Sequence, residues 1–155
     1  MGSLAGGKLA QEGLRRRALA QGGRLTVATW RSDEEIPFFR ELRRVAERHL
    51  GPVADQRYGC GQAGPIEGLL REAGFSEVRT KTISRTIRFE ESEPFLRLNT
   101  MALVGMSAAG KTMDDQKRKR VIEVIVNDSA PVARSYNVGP VLAFELSTNL
   151  ATAKG

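Results

Sequence analysis

Residues 69–78 read LLREAGFSEV, and in this stretch a helix gives way to a strand. The helical pattern opens at Pro65 and places four apolar residues on one face: Ile66, Leu69, Leu70 and Ala73. Gly74 predicts the end of this helix, because glycine readily takes the left-handed conformation that closes a last turn. Phe75 is then placed to fold back on that turn, as in a Schellman cap. A short helix that turns directly into a strand is typical of an α/β protein.

The strand that follows extends from Ser76 to Glu90. It is rich in β-branched and aromatic residues, namely Val78, Thr80, Thr82, Ile83, Thr86, Ile87 and Phe89. The face of the strand that carries apolar residues changes along its length, because successive residues point to opposite faces. Val78 is at an even-numbered position, whereas Ile83 and Ile87 are at odd-numbered positions. The change indicates a bulge or break near Thr82.

Upstream, the same order of helix and strand occurs once more. Residues 14–20 have the apolar spacing of the last turns of a helix, and Gly22 and Gly23 predict its end. The following residues 25–30 (LTVATW) predict a short buried strand. The stretch 37–50 has the strongest helical periodicity in the chain. Its start is open between a capping box formed by Ser32 and Glu35 and a first helical position at Pro37.

Downstream, residues 94–127 are ambiguous, because 121–126 (VIEVIV) is β-branched enough for a strand. Asp114 and Asp115 precede a basic run, which is the charge order that a helix dipole prefers, so a helix is favoured. The chain closes with a strand-like end from Val141 to Ala153. These elements predict an α/β fold with a small mixed sheet of about three strands and flanking helices.

Composition limits the function classes. The chain has 155 residues, a net charge of +6 and one cysteine, Cys60, so neither an internal disulfide nor a cysteine metal cluster is expected. No apolar window is long enough to span a membrane and no secretory leader is recognisable, so a cytoplasmic location is expected. The basic runs at 15–17 and 117–120 lack interleaved aromatic residues, so nucleic-acid binding is not expected.

Residues 105–112 (GMSAAGKT) match the phosphate-binding pattern G-x-x-x-x-G-K-[ST]. In such a loop Gly105 and Gly110 let the backbone wrap a phosphate, Lys111 reaches the outer phosphates and Thr112 holds Mg²⁺. Spacing argues against this nucleotide site, because too few residues separate Lys111 from Val121 for the helix and crossover that a parallel strand requires. No metal site and no catalytic pair is identifiable, and His49 has no nucleophile visibly set up beside it.

Taken together, residues 14–30 (LRRRALAQGGRLTVATW), 69–78 and 144–154 resemble class I S-adenosylmethionine-dependent methyltransferases of the small-molecule, ubiquinone-biosynthesis-like branch. They are similar to that family's fifth strand with its preceding helix, its corner into the sixth strand, and its seventh strand. The resemblance implies a partial Rossmann-like fold in which the last strand runs antiparallel between the other two. It also implies methyl transfer from S-adenosylmethionine to a small molecule.

The cofactor half of that family has no counterpart here. No Gly-rich turn after a first strand and no acidic residue ending a second strand precede Gly22, so no cofactor-binding residue is identifiable. The chain therefore resembles a C-terminal half, with residues 1–13 expected as a flexible segment and 14–155 as one domain. An unpaired fifth strand predicts a partner, either a second copy in a homodimer or a separate N-terminal half.

The resemblance places substrate contacts just past the fifth strand and on the helices after it. Trp30, Phe38, Phe39 and Phe95 are the candidates for an apolar pocket wall, while Phe38 and Phe39 also suit a plain core. Three hypotheses follow. The chain is the substrate side of a methyltransferase, a non-enzymatic interaction or dimerisation module derived from one, or a nucleotide-binding protein that uses Gly105 to Thr112.

Overall fold

The computed structural model describes residues 22–155. The sequence-based helix at 14–20, the flexible segment at 1–13 and the basic run at 15–17 lie outside the described residues. The elements follow in chain order: β1 (Arg24–Trp30), α1 (Pro37–Leu50), α2 (Ala63–Glu72), β2 (Ser76–Phe89), α3 (Ser92–Met106), α4 (Ala108–Thr112), α5 (Asp115–Ser135), β3 (Asn137–Val138) and β4 (Val141–Lys154). Two single 3₁₀ turns, Asp33–Glu35 and Gln56–Tyr58, flank α1.

The sheet confirms the predicted α/β fold class and the position of the last strand, but within residues 22–155 it is a small antiparallel sheet of four strands and not a mixed one of about three. Its order is β1-β4-β2, with the two-residue β3 also on β4. β4 pairs antiparallel with β1, from Arg24 opposite Lys154 to Trp30 opposite Thr148. Side-chain contacts of β2 with β4 run from Thr82 with Asn149 to Ser84 with Ser147, which is also antiparallel. β1 and β2 therefore point the same way but are separated by β4, so no two neighbouring strands among residues 22–155 are parallel.

The described chain divides into two compact units. The sheet unit comprises 22–32, Gln56–Ser84 and Ser147–Gly155, and the helical unit comprises Asp33–Asp55 and Arg85–Leu146. The division cuts both long strands, β2 after Ser84 and β4 after Leu146. Each unit has a core of its own.

In the sheet unit, α2 packs on one face of the strands. The core consists of Ile66, Leu70, Phe75, Ala151 and Ala153, bordered by Leu25, Val27, Cys60, Ala73 and Val78. The predicted Schellman cap is confirmed. The Phe75 amide donates to the Leu70 carbonyl at 3.1 Å, the Gly74 amide donates to Arg71 at 2.9 Å, and Gly74 has φ +87°.

In the helical unit, α1 packs against α3 and α5, and α3 packs against α5. Helix α1 buries six apolar side chains, namely Phe38, Phe39, Leu42, Val45, Ala46 and Leu50. It begins at Pro37 with Ile36 as the N-cap, so the proline and not the Ser32 capping box marks its start. The ambiguous segment is helical in both α3 and α5, as the charge order favoured. The Asp114 carboxylate accepts from the Lys117 amide at 2.7 Å and caps α5.

The change of apolar side in β2 has a different cause from the predicted bulge or break. β2 is a single continuous strand of 14 residues. β4 shows the same change, because Leu142 and Phe144 are buried at even positions and Ala151 and Ala153 at odd positions. Both changes fall where the strand passes from one unit into the other. Each part of the strand contributes apolar residues to the core of its own unit, so the change of buried positions does not require an interruption of the strand.

No helix within residues 22–155 is long and apolar enough to cross a lipid bilayer.

Candidate functional site

Trp30, the last residue of β1, forms a surface with the turn Gln56–Tyr58. Its side chain is 37% exposed, and its ring centroid lies 6.2 Å from that of Tyr58. The guanidinium carbon of Arg57 lies 5.9 Å from the Trp30 centroid and 5.6 Å from the Tyr58 centroid. We call Trp30, Arg57 and Tyr58 the aromatic-cation platform. Such a grouping offers flat π surface and positive charge to a ligand at one place.

A buried amide lies at the end of the sheet next to this platform. Asn149 is fully buried, and its Oδ1 accepts from Thr82 Oγ1 at 2.8 Å and from Arg31 at 3.4 Å. Its Nδ2 donates to the Gly61 carbonyl at 3.2 Å. Because each polar atom of Asn149 has a partner, its burial costs little, and the three strands and the 60–61 loop are held together.

The 60–61 loop is also fixed by backbone contacts. Thr29 Oγ1 donates to the Cys60 carbonyl at 3.1 Å. A Cβ at Gly61 would lie 2.7 Å from the Ser32 amide nitrogen, so only glycine allows this approach. The geometry around the carboxyl end of β1 is therefore set in advance of any ligand.

Phe38, Phe39 and Phe95 meet in the helical unit. The ring centroids of Phe38 and Phe95 are 5.8 Å apart, and those of Phe39 and Phe95 are 5.9 Å apart. Phe144 joins them at 4.5 Å from Phe38. Phe38 and Phe39 are buried, at 1% and 5% exposure, which matches the core alternative stated for them. Their role in a pocket wall stays a prediction, and Trp30 belongs to the sheet unit and not to this cluster.

Tyr136, at the end of α5, closes the phenylalanine cluster. Its ring centroid lies 4.7 Å from that of Phe38, and its hydroxyl donates to Glu41 at 2.8 Å. Burial, together with the bond to Glu41, raises the pKa of Tyr136 to about 12. The hydroxyl therefore stays protonated at neutral pH and serves as a fixed donor.

The segment Gly105 to Thr112 has a local fold that differs from a phosphate-binding loop. Gly105 lies inside α3, so a helix and not a strand precedes the segment. The Gly110 amide donates to Ser107 Oγ at 2.8 Å, and Thr112 Oγ1 donates to the Ala109 carbonyl at 2.9 Å. The glycine amide and the threonine hydroxyl that a phosphate and its Mg²⁺ would need are used within the turn. Lys111 is exposed on α4.

The residues described here do not fit an S-adenosylmethionine cradle. That cradle is built on adjacent parallel strands, with a Gly-rich turn after one and an acidic residue ending the next. Every strand pairing within residues 22–155 is antiparallel, so the described chain holds no such unit. The same residues contain no group of three or more side chains that could hold a metal ion. His49 Nε2 lies 2.8 Å from Asp128 Oδ2 and joins α1 to α5.

Sequence reasoning named Trp30 as a candidate, which stays a prediction, and did not name Arg57, Tyr58 or Asn149. A signal existed for Asn149, because it shares the parity of Ala151 and Ala153 and is therefore a polar residue at a core position of the strand. Arg57 and Tyr58 carry no such local signal. They approach Trp30 only because the chain returns to β1 after α1.

Comparisons with known proteins add little to this geometry. No protein-family model matches the chain, and the search of curated proteins finds no significant match. Among solved structures, 96% of the chain aligns with 62% of a Bacillus halodurans C-125 protein that is provisionally named a methyltransferase, at 15% identity and a TM-score of 0.40. The chain thus spans less than two thirds of that protein. This TM-score is too low to carry an argument about fold or function.

Proposed function

We propose that this chain supplies the acceptor side of an S-adenosylmethionine-dependent methyltransferase that acts on a small molecule. The observation that carries the proposal is the strand order β1-β4-β2, in which the last strand of the chain is antiparallel between two strands of the opposite direction. The resemblance in the sequence implies this order. The chain leaves β2, passes through three helices and returns as β4 between β2 and β1.

The cofactor cradle, under this proposal, comes from a separate N-terminal half. Within the described residues β1 pairs with β4 alone, so its other edge is the place where a further strand would add. A strand added there parallel to β1 would bring its own carboxyl end close to the aromatic-cation platform, because Trp30 is the last residue of β1. A second copy adding at the same edge is the alternative partner.

The acceptor, under this proposal, is a planar ring that carries a negative charge. Trp30 and Tyr58 offer π surface, and Arg57 supplies the positive charge beside it. Asn149 and Gly61 hold the neighbouring loop in place, which reduces the ordering cost of binding.

The acceptor proposal is testable through tryptophan fluorescence, because Trp30 is the only tryptophan of the chain. The probe is 4-hydroxybenzoate, a phenol with a carboxylate, and phenol itself is the uncharged comparison. We expect saturable quenching with 4-hydroxybenzoate and binding at least about tenfold weaker in Arg57→Ala. Arg44→Ala, an exposed arginine on α1, is the matched control and should bind as the wild type does. Equal binding by all three proteins would contradict a role for the platform.

The proposal that the cofactor cradle lies on another chain is tested by calorimetric titration of the full chain with S-adenosylmethionine and, separately, S-adenosylhomocysteine. We expect no saturable heat at millimolar ligand, since the described residues do not fit the cofactor. Saturable one-to-one binding would contradict the proposal that the cradle lies on another chain. A partner that binds the cofactor and methylates a phenolic acid only when this chain is present would support it.

A further inference from the structure

In the sheet unit, α2 packs on one face of the strands, and the residues that alternate with this core form a second face. The register of β1 with β4 puts even positions of both strands on the second face. The bond of Thr82 with Asn149 aligns β2 with β4, so β2 contributes its odd positions. We call this second face the open face. It consists of the even positions of 24–30 and 148–154 and the odd positions of 77–83.

Basic side chains dominate the charge of the open face. Arg24 and Lys154 lie opposite each other at one end, and Arg79 and Lys81 lie on the neighbouring β2. All four are exposed. Glu77 is the carboxylate of this face, and its Oε1 lies 3.5 Å from Lys154 Nζ. These cations come from three strands and from no basic run in the sequence. The register of the sheet therefore assembles a positive surface that attracts an anionic ligand.

Trp30 lies at the other end of the open face, where β1 ends. Its side chain is 37% exposed, and the Tyr58 ring lies 6.2 Å away. From the rise along a strand and the spacing between strands, Trp30 is about 20 Å from Arg24 and about 10 Å from Lys81. Single-stranded nucleic acids bind where bases stack on aromatic rings and cations follow the backbone. This spacing lets a base stack on Trp30 while the phosphates of the next nucleotides lie over Lys81 and Arg79.

The middle of the open face carries hydroxyl groups. Thr26 and Thr152 lie opposite each other in the register of β1 with β4, and both are exposed. A threonine hydroxyl both donates and accepts hydrogen bonds, and so does the 2′-hydroxyl of ribose, which DNA lacks. Ala28, the next residue of β1 on this face, is small and keeps the surface low. The middle of the face thus suits the sugars of an RNA strand.

We propose that the open face binds single-stranded RNA, with one base stacked on Trp30 and the following phosphates on Lys81 and Arg79. This inference goes beyond the proposed methyl transfer and does not need it, because Lys81 and Arg79 lie outside the aromatic-cation platform. The outer edge of β1 lies in the plane of the sheet and stays available to a further strand. Trp30 is shared, so RNA and a phenolic acid should compete for it.

The contribution of the cations is tested by fluorescence anisotropy of the full chain with a labelled oligouridine of about twelve nucleotides. We expect saturable binding at about 50 mM salt, and the slope of log Kd against log salt should fall by about 0.7 in Arg79→Ala and in Lys81→Ala. Each variant should bind at least about threefold more weakly. Arg71→Ala is the matched control, because it removes an exposed cation from α2 on the opposite side of the sheet. It should bind as the wild type does.

The base and the sugar are tested with the same assay. Trp30→Ala should weaken binding at least about tenfold, whereas Trp30→Phe should retain most of it, because phenylalanine still stacks. An oligodeoxyuridine of the same length lacks only the 2′-hydroxyls and should bind more weakly than the RNA. Circular dichroism checks that each variant keeps its fold. Arg79→Ala and Lys81→Ala should leave tryptophan quenching by 4-hydroxybenzoate unchanged, so this proposal and the acceptor proposal fail separately.

Four results would overturn the proposal. The first is a wild type that shows no saturable binding, and the second is an equal loss in Arg71→Ala, which would indicate attraction by net charge alone. The third is binding indifferent to Trp30→Ala, since the face would then recognise negative charge without a base, as on an acidic protein. Equal affinity for the deoxy strand would overturn the assignment to RNA.

Discussion

Helices α1 and α3 lie in the same unit and differ by one residue in length, yet they use their two sides differently. In α1 every large apolar residue points inward, and the outer side is formed by arginines and glutamates. In α3 two polar residues are buried, and Leu98 and Met101 point outward. The apolar residues of α1 are thus buried within the chain, whereas two large apolar residues of α3 stay exposed among the described residues. An apolar side chain contributes to the folded core in the first helix and much less in these two positions of the second.

The largest expected effect tests this contrast directly. Phe38→Ala on α1 should lower the free energy of unfolding by about 3–5 kcal/mol, because Phe38 is fully buried among four other aromatic rings and a cavity would remain. Leu98→Ala on α3 should change it by less than about 0.5 kcal/mol, because Leu98 is 68% exposed. Urea denaturation measures both. Equal losses would show that the two helices do not differ in the way described.

A second prediction concerns the turn that joins α3 to α4. A Cβ at Gly110 would overlap the carbonyl oxygen of Val104, and backbone cannot move aside cheaply. Gly110→Ala should therefore cost about 3 kcal/mol. The control is Gly68→Ala in α2, where the added Cβ meets nothing within 4 Å and helix propensity should raise stability by about 0.5–1 kcal/mol. If chemical denaturation shows that both variants change the free energy of unfolding in the same direction, the predicted steric clash at Gly110 is contradicted.

A third prediction compares an ion pair beside each helix. Asp33 precedes α1, is 9% exposed and contacts Arg43 Nε at 2.5 Å. Asp33→Ala should cost about 2 kcal/mol, because half-buried Arg43 would lose its shortest ion-pair contact and keep only the longer ones to Glu34 and Glu47. Glu123, whose pKa is lowered by its bond to Arg97 on α3, is exposed, so Glu123→Ala should have a much smaller effect that salt reduces further. Thermal unfolding at low and high salt separates the two cases.

The smallest expected effect comes from the contact between Tyr136 and α1. Tyr136→Phe removes the bond to Glu41 and should cost about 1 kcal/mol at neutral pH. Because the folded-state pKa is raised to about 12, the contribution is fully present below the ordinary tyrosine pKa and is lost as pH rises towards 12. The stability difference between wild type and variant should therefore be constant at neutral pH and shrink in strong alkali. A difference that grows in alkali would contradict the assignment.

Much of the secondary structure could be predicted because its causes are local. The strand at 25–30, the helix at 37–50 and the Schellman cap at Gly74 each depend on residues within one or two turns of each other. The segment 94–127 was harder, since Val121 to Val126 suit a strand by composition and are helical in α5. There the tertiary packing of α5 against α1 and α3 overrides the β propensity of the residues.

By itself, the sequence determined the helices, the strands, the place of the last strand implied by the resemblance, and Trp30 as a candidate. Only the tertiary structure decided that Arg57 and Tyr58 approach Trp30, that Asn149 joins Arg31, Thr82 and Gly61, and that α3 is apolar on its outer side. The physical reason is separation along the chain. Periodicity and caps act over a few residues, whereas these contacts join residues 27 to 118 positions apart and require the register of β4 to be set first.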